Sequence, residues 1–451
     1  MVLEKFKRFN WLFVLSAFIL IADPANAQIS HPAWFQTGTG IGVQTIRLAV
    51  AQFGPRADNA KTHSEQFTQI VRDDLQFSGV LDLVSPSFYP AQLTTMPAEL
   101  QYSAWTDPQV NAHFVAFGNL SETTSEVAIQ AWLYDVTNPS SPAVVGKIYR
   151  GAPTDAQVRK FAHQFADEII SKLVGGSGVA STQIAFVSSR SGFKEVWVMD
   201  YDGANQHQLT NLRTISLTPR WSPDASRIAF TCYEPLNRIV SAQICMYSLD
   251  ASKVVSFPRF HGTNSAPAWS PDGTQIMFSS SMQGTPDLYV TDANGGKPKR
   301  LTFSGNGGAT SPAWNPKTGQ SVVFVSDRGG IPKLYSMNAD GTNLTAIDLP
   351  DKGYLIDPSW SPNGQLLAFS WRRPEGNYDI YVMEPGTQEI IDLTPDMGRN
   401  ERPSWAPDGR HLVFESTRGG TRQIWTMLAD GSQPRQLTLT GHNESPNWST
   451  K

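Results

Sequence analysis

The sequence predicts an all-β six-bladed β-propeller preceded by a small α/β domain. Three observations predict it. A Pro-x-Trp triplet recurs six times in the second half of the chain. Each repeat also holds a Phe, followed in five of the six by a second aromatic residue eleven or so positions later. Finally, 35 Gly and 31 Pro stand among 451 residues, with only 17% charged residues. The first observation sets a period, the second sets a strand pairing, and the third demands many turns and few helices.

The triplets end at Trp221, Trp269, Trp314, Trp360, Trp405 and Trp448, spaced 48, 45, 46, 45 and 43 residues apart. The clearest copies continue as PAWSPDG (267–273) and PSWAPDG (403–409). Pro presets φ and Gly accepts conformations that other residues resist, so these endings are turns. The Phe signature recurs at Phe186, Phe230, Phe278, Phe324, Phe369 and Phe414. Its partner is Trp197, Tyr289, Tyr335, Tyr381 or Trp425, with Cys245 in the second repeat. If the two rings face each other, the intervening turn falls on Ser191-Gly192, Gln283-Gly284, Gly329-Gly330 and Gly419-Gly420. That is the chemistry of tight hairpins. A Leu-Thr pair closes five repeats, at Leu209, Leu301, Leu344, Leu393 and Leu437.

Four short antiparallel strands in about 45 residues make a propeller blade. The repeat region opens on a Phe strand near Ile184 and closes on a Pro-x-Trp strand at Trp448. The last strand must therefore complete the first blade, which closes the ring and leaves no open edge there.

Ahead of the ring, residues 46–53 alternate as a strand, and Phe67, Ile70, Val71 and Leu75 share a helical face ended by Gly79. Strands are expected at 80–84, 113–120, 127–135 and 143–150. Thr154 caps a helix in which Phe161, Phe165, Ile169 and Leu173 recur, and Gly175-Gly176-Ser177-Gly178 reads as a linker. Residues 1–27 read as a secretory signal peptide: Lys5, Lys7 and Arg8, twelve apolar residues from Trp11, then Ala25-Asn26-Ala27. The expected division is therefore 1–27, an α/β domain with an N-terminal arm at 28–178, and the propeller at 179–451. The cleaved chain would carry no membrane span and would be exported.

A net charge of −4 argues against a nucleic-acid partner held by phosphate neutralisation. Two Cys exclude a disulfide framework or a zinc ribbon. No Gly-x-Ser-x-Gly elbow, HExxH, Walker loop or GxGxxG is present. No catalytic residue, metal site or cofactor is expected. Asp357, Glu401 and Glu444 lead into Pro-x-Trp strands, and read either as a cation-holding channel mouth or as solvated turn acids. Cys232 and Cys245 lie diagonally on neighbouring strands, rather far for a bridge, and their pairing is open.

The combination resembles the TolB family of the Tol–Pal envelope system. It rests on the export signal, QIVRDDLQFSGVLDLV (69–84), FAHQFADEIISKLVG (161–175) leading to TQIAFV (182–187), and FPR (257–259) before APAWSPDG (266–273). The resemblance implies a non-enzymatic periplasmic protein that docks the Pal lipoprotein on the propeller mouth. It implies contact with TolA through an N-terminal arm, support of outer-membrane constriction in cell division, and use of the docking surface by colicins in some members. Carried over by motif, the Pal loops are 257–267 and 304–312, with Arg259, His261, Asn264, Ala266, Thr310 and Ser311 as contacts. The TolA arm follows from position, with Gln28, Ile29, Trp34 and Phe35. Two other classes stay open: an exported propeller hydrolase or lyase with a channel metal, and a cell-wall glycan-binding module.

Overall fold

The computed structural model describes residues 46–451, apart from 237–238, 350–352, 374–375, 388 and 396. The signal-peptide segment and the arm residues Gln28, Ile29, Trp34 and Phe35 lie outside the described residues.

Six four-stranded antiparallel sheets form the ring. The first sheet is ordered Asn443–Trp448, Gln183–Ser188, Glu195–Asp200, His207–Gln208, so the last strand does complete the first blade. Trp448 pairs with Ile184, and its indole donates to Thr182 Oγ1 at 2.7 Å. The aromatic register also holds: Phe186 faces Trp197, Phe278 faces Tyr289, Phe324 faces Tyr335, Phe369 faces Tyr381 and Phe414 faces Trp425. The turn between them differs from expectation. In the first blade the ladder stops at Ser188 and Glu195, and a turn from Ser189 to Gly192 occupies the longer loop between. Gly192 sits there at φ 93°, and Gly284, Gly330 and Gly420 repeat it at 98–100°.

The Leu-Thr pair has a plain physical purpose. The Leu N–H bonds the third strand's carbonyl, and the Thr hydroxyl accepts from an N–H that the short fourth strand leaves open. Thr210, Thr302, Thr394 and Thr438 accept from Val196, Leu288, Ile380 and Ile424 at 2.8–2.9 Å. Leu344 does not belong to this set. Ile347 makes the matching bond to Leu334, and Leu344 is exposed.

Each inner strand carries a β-bulge at the same place. Two residues, the one before Pro and Pro itself, face the signature Phe alone; Thr218 and Pro219 face Phe230. The residue before Pro is left-handed in all six blades: Thr218, Ala266, Ser311, Asp357, Arg402 and Ser445 lie at φ 48–55°. A pre-proline residue ordinarily prefers an extended backbone, so six such residues mark a conformation imposed by the sheet. Pro suits the bulge because it has no N–H to leave unpaired.

The first half is a mixed sheet ordered Leu81–Leu83, Ile46–Val50, Phe114–Glu122, Val127–Asp135, Ala143–Gly151. Helices Lys61–Phe77 and Asp155–Leu173 pack together with it. Thr154 caps the second helix by accepting from the Gln157 N–H, as expected. Short helical turns at Pro86–Phe88, Pro97–Glu99 and Tyr102–Trp105 were not foreseen. One hydrophobic cluster runs from Leu48, Phe67 and Phe165 to Ile184, Tyr201 and Trp448, so the two halves share a core. No helix among the described residues is long and apolar enough to cross a membrane.

Candidate functional site

The ring has two mouths of different chemistry. The loops that precede the inner strands, and the hairpins between second and third strands, gather at one mouth. The Pro-x-Trp ends and the turns that follow them gather at the other. The first half of the chain joins the second rim: His411 Nε2 lies 2.9 Å from Phe77 O, and Arg159 bonds Asp200 and Asp202 at 2.9 and 2.7 Å.

The loop mouth holds the residues expected to meet a partner, but they are not equivalent. His261 is exposed, with no hydrogen bond or ion pair among the described residues. Ala266 and Ser311 are bulge residues, and Thr310 lies beside Ser311 on its inner strand. Arg259 is a strut. It donates to Glu234 at 2.7 Å and to the Phe257 and Ile244 carbonyls, tying its loop to the long hairpin Arg227–Leu236 and Ile239–Ser248. Asn264 corrects the expectation: it is 0% exposed. Its amide donates to Gln243, Phe260 O and Gly262 O, and its carbonyl accepts from Ser280. Asn400 and Asn443 repeat parts of this network, which identifies Asn264 as a fold residue.

Cys232 and Cys245 are bridged, with Cα atoms 5.8 Å apart. The register is the diagonal one expected, with Cys245 opposite Phe230 and Cys232 opposite Gln243. The inference that this is rather far for a bridge is what fails, because 5.8 Å lies inside the normal range. The bridge abuts Arg259, whose Nη2 is 3.7 Å from Cys245 Sγ. Cys232, Glu234 and Cys245 are also a convergent donor group among the described residues, but the bridge consumes both thiols.

Glu401 and Glu444 are neither solvated turn acids nor bare cation ligands. Both lie on inner strands, side chains 8% and 5% exposed, and both are answered by cations. Arg422 stands among Glu401, Glu415 and Glu444 at 3.6, 3.2 and 3.4 Å. Arg399 pairs with Glu401, Lys194 with Glu444, and Arg402 with Glu415. Burial opposes the charge of Glu444, but Lys194 and the arginines hold its carboxyl below the usual range. Asp357 differs: it forms no ion pair among the described residues, and burial pushes its carboxyl up to about 6 against the pull of Arg402.

A pH dependence follows. Folded Asp357 binds its proton up to about pH 6, and the unfolded chain only up to the usual aspartate range near 3.9. This carboxyl's contribution to stability therefore falls as pH rises through that window. Asp357→Asn is expected to stabilise the protein at pH 8 by roughly 1–2 kcal/mol and to flatten its stability profile between about pH 4 and 6. Urea titrations across that range check it. A destabilised variant at pH 8 would mean that attraction to Arg402 outweighs burial.

With this geometry in place, comparison with known proteins decides the family. Residues 170–355 and 349–451 match the TolB beta propeller domain, and residues 39–141 match the TolB amino-terminal domain. The chain belongs to the TolB family. A TolB homolog of Chlorobium chlorochromatii is 32% identical over 279 residues, covering 61% of this chain and 60% of that protein. The chain thus spans about three-fifths of the first curated relatives it matches. The Tol-Pal system protein TolB of Bordetella pertussis is 30% identical over 331 residues, covering 63% of this chain and 70% of that one. The crystal structure of TolB from Acinetobacter baumannii superposes with a TM-score of 0.73 at 24% identity, covering 90% of this chain and 97% of that one. That likeness bears on the fold, a six-bladed ring preceded by an α/β region.

Sequence reasoning missed one recurrent device. Arg190, Arg328 and Arg418 each bond a strand-end Ser and lie over the aromatic partner, 4.6, 5.1 and 5.0 Å from Trp197, Tyr335 and Trp425. The signal was present as Ser-x-Arg after the Phe strand in these three blades. It fixes the edge of the loop mouth.

Proposed function

We propose that this TolB-family chain is a non-enzymatic periplasmic docking component of the Tol–Pal system. In this reading it holds the peptidoglycan-associated lipoprotein Pal at the loop mouth, reaches TolA through residues 28–40, and so supports outer-membrane constriction and envelope integrity. Colicins would use the same mouth. Family membership supports the system, since the Bordetella pertussis relative is a Tol-Pal system protein. The signal-peptide reading of residues 1–27 supports the compartment.

The observation that carries the docking reading is apolar exposure concentrated at one rim. Phe303 and Leu439 are 74% and 78% exposed, and Val240, Phe193, Ile215 and Met397 stand at the same mouth on other blades. Exposed apolar groups clustered on loops of a rigid ring mark a protein partner better than a substrate. Arg259 and the disulfide hold one side of this rim in a fixed shape, which lowers the ordering cost of docking.

The test is calorimetric titration of the purified protein with Pal and with TolA. Phe303→Asp with Leu439→Asp is expected to weaken Pal binding at least about tenfold while leaving the melting temperature in place. Deleting residues 28–40 is expected to abolish TolA binding and leave the fold intact. Undiminished Pal binding by the double variant would move the site away from this mouth.

A further inference from the structure

The second mouth carries a feature that docking at the first does not use. The six Pro-x-Trp ends surround a cavity of about 510 Å³ that opens to solvent. Its walls are tryptophan and proline, repeated around the ring. The middle residue of the triplet also lines it, and is small or neutral in five blades: Ala268, Ala313, Ser359, Ser404 and Asn447. In the sixth it is Arg220.

A blade does not need arginine there, since five blades pack with small side chains. Asn447 is used structurally, accepting from the Trp221 N–H at 2.8 Å and donating to Ser404. Arg220 makes no comparable contact. Among the described residues its guanidinium bonds only the carbonyl of its own neighbour Pro219, at 2.9 Å, and forms no ion pair. Asp357 attracts it without touching it, and Arg402 repels it. Burial draws its pKa down to about 10, so it remains charged at neutral pH. A partly buried guanidinium with open donors is well suited to a carboxylate, which it can bind through two parallel N–H bonds. Apolar walls with one such convergent group are the layout of a small-molecule site.

We propose that the tryptophan-lined mouth is a second binding site, taking a small carboxylate with an aromatic or apolar body, its carboxylate on Arg220 and its body against the tryptophans. The site is separate from the loop mouth and does not depend on which partner docks there.

The probe is 3-phenylpropionate, with 3-phenylpropionamide as its neutral match, titrated into the full folded chain at pH 7 and followed by calorimetry and tryptophan fluorescence. The acid is expected to bind about tenfold or more tightly than the amide, with a change in tryptophan emission. Arg220→Gln is expected to remove that preference and leave the weak amide binding unchanged. Equal binding of acid and amide, or binding of neither at millimolar concentration, overturns the proposal. So does an acid preference that survives in Arg220→Gln. The acid–amide comparison uses the unaltered chain, so it decides the matter even if the variant fails to fold.

Discussion

Removal of residues 443–451 is expected to abolish the folded propeller. The segment supplies the innermost strand of the first blade, pairing Asn443 with Ser188 and Trp448 with Ile184. Trp448 is 3% exposed and belongs to the core shared by both halves. Loss of a buried Trp alone costs about 3–5 kcal/mol. The truncation also strips the Gln183–Ser188 strand of its inner partner and leaves an open edge where the ring closes. A domain's total stability is about 5–15 kcal/mol, so the indole alone removes a large share of it and the lost strand pairing adds to that. Circular dichroism melting checks it. A truncated chain that melts within ~2 °C of the intact one would show that the ring does not depend on this closure. Trp448→Ala alone should fold and melt lower, which separates the aromatic contribution from the strand.

The second large effect lies where the halves meet. Asp74 is buried, with His163 Nδ1 2.7 Å from one carboxylate oxygen and the Tyr201 hydroxyl donating to the other at 2.6 Å. Burial pushes this carboxyl up, against both hydrogen bonds. His163 and Asp74 sit on the two helices, and Tyr201 follows a propeller strand, so the carboxylate pins the first half to the ring. Asp74→Ala leaves a buried hydroxyl and a buried imidazole without their partner. The expected loss is about 3–5 kcal/mol, measured by urea unfolding. Tyr201→Phe removes one hydrogen bond and leaves a buried acceptor short, for about 1–3 kcal/mol. A loss below about 1 kcal/mol in Asp74→Ala would mean that water or a shift of His163 replaces the network.

The fold was legible because its information is local and repeated. Phe324 and Tyr335 are eleven residues apart, and the loop between them contains its own turn residues, so one short segment fixes its pairing. Six copies then removed the ambiguity that any one strand carries. Errors came where a copy drifts. Leu344 matched the Leu-Thr pattern, but the register places Ile347 in that role. The site was less legible. Asn264 lies in a loop motif and reads as a contact, yet its neighbours in space turn it inward. Arg259 reads as a partner contact, and Glu234, 25 positions away, makes it a strut as well.

By itself the sequence determined the blade count, the strand order, the closure of the ring and the family, because these depend on spacing and on pairs a dozen residues apart. Only the tertiary structure decided which charges meet. Arg402 and Glu415 pair across 13 positions, but Lys194 reaches Glu444 across 250, and Tyr201 reaches Asp74 across 127. Lys194 meets Glu444 because closure of the ring puts the first and last segments in one blade, and Tyr201 meets Asp74 where the two halves pack; no periodic pattern encodes which charges meet there. Arg220 stands in a ring of tryptophans with no ion pair among the described residues. Burial then sets the cost of every charge there, and burial is a property of the assembled ring rather than of any segment.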